Sequence, residues 1–236
     1  MTAQTPSPSL LEARGVDSDR ALAVLQTALA GADDGELFVE RSESEALVFD
    51  DGRLKSASYN TTEGFGLRVV AGETAGYAHS SEISEAALHR AADAASLARR
   101  GYAGVAADAP RQTNVRLYGD EDPVGGMAFS AKTDLLQEID AFARARDTRV
   151  VQVSATISGE RREIDILRGD GRVLRDVRPL ARLNVSITVE RDGRRESGSS
   201  GAGGRASFEA WIRPDSWQGQ VDEALDRKST RLNSSH

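Results

Sequence analysis

The chain has 236 residues, 39% hydrophobic and 28% charged, which is ordinary globular usage and enough apolar material for one large domain or two small ones. It has no cysteine and a formal net charge of −7. The first excludes disulfides and thiolate metal sites within the chain, and the second, with the basic residues dispersed, argues against bulk nucleic-acid binding. No run approaches the roughly 18 apolar residues of a membrane span, and Met1–Leu10 has no basic start followed by an apolar core, so no secretory signal is expected. A reducing cytoplasm fits the missing cysteines.

Residues 1–16, rich in Pro and Ser, read as a loose start. Ser18 is the expected N-cap of a first helix that carries Leu22, Leu25 and Leu29, with Gly31 as its stop. Short strand-like runs follow: Glu36–Arg41, Glu45–Asp50 and Arg53–Tyr59, the last two joined by Asp51-Gly52, a two-residue hairpin signal. Gly64–Ala71 alternates Phe65, Leu67 and Val69 against polar or small residues. Gly72-Glu73 then turns the chain into Thr74–Ser80. Ser84 is the expected cap of a second helix, with Ile83 and Leu88 placed as a hydrophobic staple. Its body, Glu85–Arg100, ends on two arginines and Gly101.

Residues 101–129, with Pro110 and Pro123, read as a long connection. Ser130 is the expected cap of a third helix with the stripe Leu135, Leu136, Ile139, Phe142 and Ala143. Arg149–Gly159 is a strand with Val151, Val153, Ala155 and Ile157 on one face. Glu163–Arg168 and Arg172–Val177 flank Asp170-Gly171, a second hairpin. Ala181–Glu190 alternates most regularly of all, and Asp192-Gly193 is a third turn. Hairpin-linked strands between helices predict an α+β fold with antiparallel sheets. It divides into two helix-plus-hairpin halves, about 17–100 and 130–205, joined by 101–129. The echo between the hairpins at Glu45 and Glu163 is what a duplication leaves, and also what any two hairpins look like. Asp226–His236 is polar, has no period and matches a translated sequencing-adapter oligonucleotide. It is expected to be non-native, and 17–225 to be the folded region.

Chemistry-bearing motifs are sparse. His79 and His89 have no metal-spaced partner, and neither a His-Glu-x-x-His helix nor a Gly-x-Ser-x-Gly elbow occurs. Asp50, Asp51, Asp165, Asp170 and Asp176 mostly fall at turns or strand ends, where they serve turn geometry. The glycine-rich run Gly198–Gly204 lacks the following helix and Lys-Ser/Thr of a phosphate loop. It reads either as a flexible loop or as a place where a second backbone comes close. The hydroxyl-rich faces of 149–159 and 181–190 are solvated surfaces, or they line a wet groove in which an extended peptide adds to the sheet.

Several segments, in order, resemble the TldD/PmbA family. They are Ser58-Tyr-Asn, Gly64-Phe-Gly-Leu-Arg, Gly72-Glu-Thr-Ala-Gly-Tyr-Ala, Val151-Gln-Val-Ser-Ala-Thr-Ile-Ser-Gly, Asp176-Val-Arg-Pro-Leu-Ala-Arg-Leu, and Arg194-Arg-Glu-Ser-Gly with Gly203-Gly-Arg. The similarity covers roughly 8–225, and the Asp176 segment and the run ending in Arg205 look more like the TldD subunit than its PmbA (TldE) partner. The resemblance implies a cytosolic zinc metallopeptidase, paired with a paralogous subunit, that degrades unfolded peptides or trims leader peptides. In the family, zinc is bound by a His-Glu-x-x-x-His helix and a distant Cys. Zinc would polarise the scissile carbonyl while Glu shuttles the proton. None of these residues is in the sequence, so no catalytic or metal residue carries over, and the chain alone is expected to be inactive. The alternative is a non-catalytic PmbA/TldE-type subunit that binds peptide and completes a heterodimer. The expected substrate-binding residues are Arg182, Asn184 and Ser186, with Gly203, Gly204 and Arg205 at the edge of a peptide chamber. Neither a membrane nor a nucleic-acid partner is expected.

Overall fold

The computed structural model describes residues 8–100 and 118–233. Among them are four α-helices and one six-stranded antiparallel sheet in the order β3-β2-β1-β4-β5-β6. The elements are α1 (Ser18–Leu29), β1 (Asp34–Asp50), β2 (Arg53–Ala71), β3 (Thr74–Ser80), α2 (Glu85–Ala95), α3 (Phe129–Arg146), β4 (Val150–Arg168), β5 (Val173–Arg191), β6 (Arg194–Gly204) and α4 (Pro214–Asn233). The expected α+β class therefore holds, with the strands gathered into a single sheet.

The strands are longer than the sequence suggests. Glu36–Arg41 and Glu45–Asp50 are one strand, and the same fusion produces β2, β4 and β5. The segments that look like breaks, such as Glu160–Arg162 in β4, are charged residues at half-buried positions. Their polarity interrupts the hydrophobic alternation without interrupting the backbone ladder. The first of the expected apolar-face residues, Val151, is exposed, while Val150 is buried in its place. Asp51-Gly52 and Asp192-Gly193 both have positive φ at both residues, the type I′ geometry whose twist suits a two-residue hairpin. Asp170-Gly171 sits in a slightly longer turn, closed by Arg168 N–H to Arg172 C=O at 2.9 Å.

Two caps differ from expectation. Asp17, not Ser18, caps α1, accepting from Arg20 N–H at 2.9 Å. Ser18 is the first helical residue, and its hydroxyl donates to Glu12 instead. α3 begins at Phe129 after Ala128, with no side-chain cap, and Ser130 lies inside its first turn. Ser84 caps α2 as expected, accepting from Ala87 N–H at 3.1 Å. However, α2 ends at Ala95 and passes into a 3-10 turn, Ser96–Arg99. Gly101 and Pro110 fall outside the described residues. α4 covers Pro214–Asn233. It starts with Pro214 at the first helical position, where a missing N–H costs nothing, and runs on through Asn233. An i,i+4 ion pair between Glu223 and Arg227 at 2.5 Å supports that continuation.

The chain forms two compact units, each drawn from three stretches. The first contains residues 1–42, 61–117 and 162–177. Its core is built on α1, α2 and strand segments around Leu25, Leu37, Leu67 and Leu88, all fully buried. Each such side chain contributes about 1.5–3 kcal/mol relative to exposure. Ile83 packs against this cluster, of which Leu88 is a member. Asp165 is not a turn residue: it is 7% exposed within β4 and accepts from Leu10 N–H at 2.8 Å. Arg168 binds Asp34 and Glu36 at 2.5 and 2.7 Å.

The second unit contains residues 43–60, 118–161 and 178–236. α3 and α4 cover one face of its strands, with Leu136, Ile139, Val153, Ile157, Leu183, Ile187 and Val221 at its centre. Phe142 meets Trp217 edge-on at 5.3 Å. Lys132 is 1% exposed. It is ion-paired to Glu45, donates to Val124 C=O at 2.6 Å, and lies 5.8 Å from the Phe208 ring centre.

Candidate functional site

The open face of the second unit is set by the register of β5 and β6. The Asp192-Gly193 turn aligns Arg191 with Arg194, and the pairing runs without a bulge to Ala181 opposite Gly204. Leu183, Val185 and Ile187 therefore face the helices, while Arg182, Asn184, Ser186 and Thr188 face outward. On β6 the outward set is Ser197, Ser199, Gly201 and Gly203, all exposed.

In a two-residue hairpin the flanking pair exchanges both backbone hydrogen bonds, and bonded and non-bonded pairs then alternate. Arg194, Glu196, Gly198, Ser200, Ala202 and Gly204 thus turn their N–H and C=O groups toward β5. Ser197, Ser199, Gly201 and Gly203 turn theirs away from it, to the sheet edge. Two side-chain contacts agree with this phase. Thr188 and Ser197 hydroxyls lie 2.8 Å apart, as expected of a close non-bonded pair, and Arg227 Nη1 donates to Ser199 C=O at 3.0 Å.

Four of the six expected site residues lie together on this face. Arg182 Nε donates to Asn184 Oδ1 at 2.9 Å, and Ser186 stands next along the same row. A Cβ at Gly201 would come 2.3 Å from Asn184 Oδ1, and one at Gly203 would come 2.5 Å from Ala181 C=O. Glycine at these positions lets the polar row of β5 lie against the β6 backbone. This is the close-approach reading of the glycine-rich run, and the run is a strand, not a loop. Gly204 faces the other way, where its missing Cβ would lie 3.2 Å from the Trp211 ring. Arg205 has left the strand, with its guanidinium 5.7 Å from the Tyr118 ring centre.

Ser154 and Thr156 of β4 join Arg182, Asn184, Ser186 and Ser199 around a depression of about 430 Å³. The sequence places these β4 hydroxyls on a polar face that is either a solvated surface or a groove lining, without naming them among the site residues. Sequence reasoning had missed Ser197, Ser199 and Gly201 because Gly and Ser carry little strand propensity. Ser200 points to the helix side, 2.6 Å from both Gln220 Oε1 and Glu223 Oε2. Its hydroxyl, then the Arg227 charge, hold the Glu223 carboxyl below its ordinary pKa.

Residues 35–98 match the first domain, and residues 122–232 the central domain, of the PmbA/TldA metallopeptidase family models. The chain belongs to the PmbA/TldD metallopeptidase family. It is 37% identical over 180 residues to a metalloprotease TldD homologue of Haemophilus influenzae, covering 73% of this chain and 36% of that protein. It is 30% identical over 217 residues to a metalloprotease TldD homologue of Buchnera aphidicola subsp. Acyrthosiphon pisum, covering 91% and 45%. The chain thus spans less than half the length of the curated relatives it matches. Its fold is shared with TldE from Thermococcus kodakarensis, at a TM-score of 0.62 and 14% identity, over 89% of this chain and 47% of that one.

The family name implies a metal. Among the described residues, no group of three or more His, Cys, Asp or Glu is arranged to hold one. The residues present do not fit a metal centre, and no catalytic step is derived through one. No helix among the described residues is long and apolar enough to cross a membrane.

Proposed function

We propose that this chain is the N-terminal part of a TldD-like zinc metallopeptidase subunit acting on unfolded or leader peptides in the cytoplasm, beside a paralogous partner subunit. The zinc ligands and the catalytic Glu belong to a part of the protein outside this sequence. The observation carrying the reading is the 30–37% identity to TldD homologues along most of the chain. Within that protein the open β5–β6 face borders the peptide chamber. Arg182, Asn184 and Ser186 supply hydrogen-bonding groups, Gly203 keeps the backbone accessible, and Gly204 and Arg205 shape the exit of β6.

Purified 236-residue chain, assayed with zinc on an unfolded fluorogenic peptide, is expected to show no turnover. Turnover abolished by a chelator would overturn the assignment of catalysis to other residues. In the full-length enzyme, Gly203→Val with Gly204→Val is expected to impair peptide cleavage, and unchanged cleavage would remove these glycines from the site.

A further inference from the structure

We propose that the depression on the open face of the second unit binds a phosphate monoester, held by the Arg182 guanidinium and by hydroxyl and amide groups of β4, β5 and β6. The inference goes beyond the peptidase reading and does not rest on it. The depression, about 430 Å³, is lined by Ser154, Thr156, Arg182, Asn184, Ser186 and Ser199. All of them but Arg182 and Ser199 are half-buried. Among the described residues, no carboxylate lines it, although the chain as a whole carries a net charge of −7.

The groups left open there are donors. Arg182 Nε donates to Asn184 Oδ1 at 2.9 Å. That bond occupies the amide oxygen and leaves the Asn184 Nδ2 hydrogens and the Arg182 Nη fork to a ligand. The Ser199 carbonyl is likewise occupied, accepting from Arg227 Nη1 at 3.0 Å. Arg182 makes no ion pair among the described residues, and the hydroxyls of Ser154, Thr156, Ser186 and Ser199 have no side-chain or backbone partner among them. Hydroxyls just outside the depression are satisfied. Thr188 and Ser197 bond each other at 2.8 Å, and Ser200 lies 2.6 Å from both Gln220 and Glu223. Hydrogen-bonding capacity is thus open at one place and closed around it.

The complement of such a set is a ligand rich in acceptors and negatively charged. A planar guanidinium fork grips a carboxylate or a phosphate through two oxygens. A carboxylate has no oxygen left after that. A phosphate monoester keeps a third, and a second charge, for the Asn184 amide and the hydroxyls. The remaining volume admits the small polar body of the ester.

The test is isothermal titration calorimetry of the 236-residue chain at low ionic strength. Glycerol 3-phosphate is expected to bind about tenfold or more tighter than acetate. Arg182→Gln should weaken it about tenfold or more, the scale of a hydrogen bond to a charged group. Arg182→Lys, which keeps the charge and loses the fork, should weaken it less. Arg195→Gln, at the turn end of the same hairpin and paired with Glu190, should stay within about twofold. No binding of glycerol 3-phosphate, equal binding of acetate, or undiminished binding by Arg182→Gln would overturn the proposal. N-acetyl-phosphoserine methylamide separates the sources of the ester. Binding tighter than glycerol 3-phosphate assigns the site to a phosphorylated side chain of a peptide, and weaker binding to a free phosphorylated metabolite; both keep the phosphate site.

Should Arg182→Gln fail to fold, amide spectra of the parent chain decide. Saturating glycerol 3-phosphate is expected to shift the Asn184 side-chain amide and the backbone amides of Thr156 and Ser186, and shifts found only elsewhere would overturn the site. Peptide cleavage by the full-length enzyme judges the peptidase reading separately, since the titration is read on this chain without turnover.

Discussion

Asp17 and Ser18 show how one position decides a cap. Both are good N-cap types, and the sequence alone does not separate them. Extended backbone at Asp17 aims its carboxylate at Arg20 N–H, while Ser18 is already helical. Asp17→Ala is expected to cost about 1 kcal/mol in urea denaturation, and Ser18→Ala clearly less. Lys132 carries more. Replacing it with Met leaves the Glu45 carboxylate and Val124 C=O without their donor, an expected loss of about 3 kcal/mol. Lys132→Met combined with Glu45→Leu should recover much of it, because an apolar pair removes the stranded charge. Asp50 adds a pH dependence. Its carboxyl is held below the ordinary aspartate value by the Gln152 amide first and then by Lys55. A folded-state pKa below the unfolded one stabilises above the unfolded value, about 3.9, and is lost as pH falls through the lower folded value. Asp50→Asn should therefore lose less stability than the parent chain between neutral pH and pH 3, measured by urea midpoints.

The elements were legible where periodicity was clean. α1, α2, α3 and the core faces of β4 and β5 follow from apolar spacing, and the Asp-Gly pairs located three hairpins. Strand lengths were hidden because half-buried charges such as Glu160–Arg162 look like loops when only hydrophobicity is counted. β6 was hidden for the opposite reason: it has almost no side chains to show a period. Its register follows from the turn before it, and that register, more than any motif, defines the candidate site. The outward row Arg182, Asn184, Ser186 was readable from alternation alone. The phase of the β6 backbone became readable only once a two-residue turn was established. Gly203→Val in this chain brings a side chain against Ala181 C=O. It is expected to destabilise by about 1–3 kcal/mol, as overpacking does, visible as a lower thermal midpoint.

At the scale of the whole molecule the element order repeats: helix, three strands, helix, twice over. The sheet order β3-β2-β1-β4-β5-β6 is the same sequence read outward from its middle in both directions. The hairpin echo at Glu45 and Glu163 is part of that repetition. Function stays largely outside what the chain spells out, since the residues that would hold a metal are not among those described. A piece ending at residue 100 is expected to show no cooperative thermal transition by circular dichroism. The first unit would then lack residues 162–177, with buried Leu167 and the Arg168 pairs to Asp34 and Glu36.

Each compact unit is assembled from three separated stretches, and this dictates an order of events on the ribosome. Residues 43–60, which belong to the second unit, emerge long before the rest of that unit exists. The first unit cannot close until residue 177 has left the exit tunnel. Domains in most nascent chains fold one after another as they appear. Here β1 and β2 pair with each other early, but the other side of β1 must wait for β4, which begins only at Val150. Protection of that waiting stretch, by a chaperone or by rapid elongation, becomes a requirement of the topology.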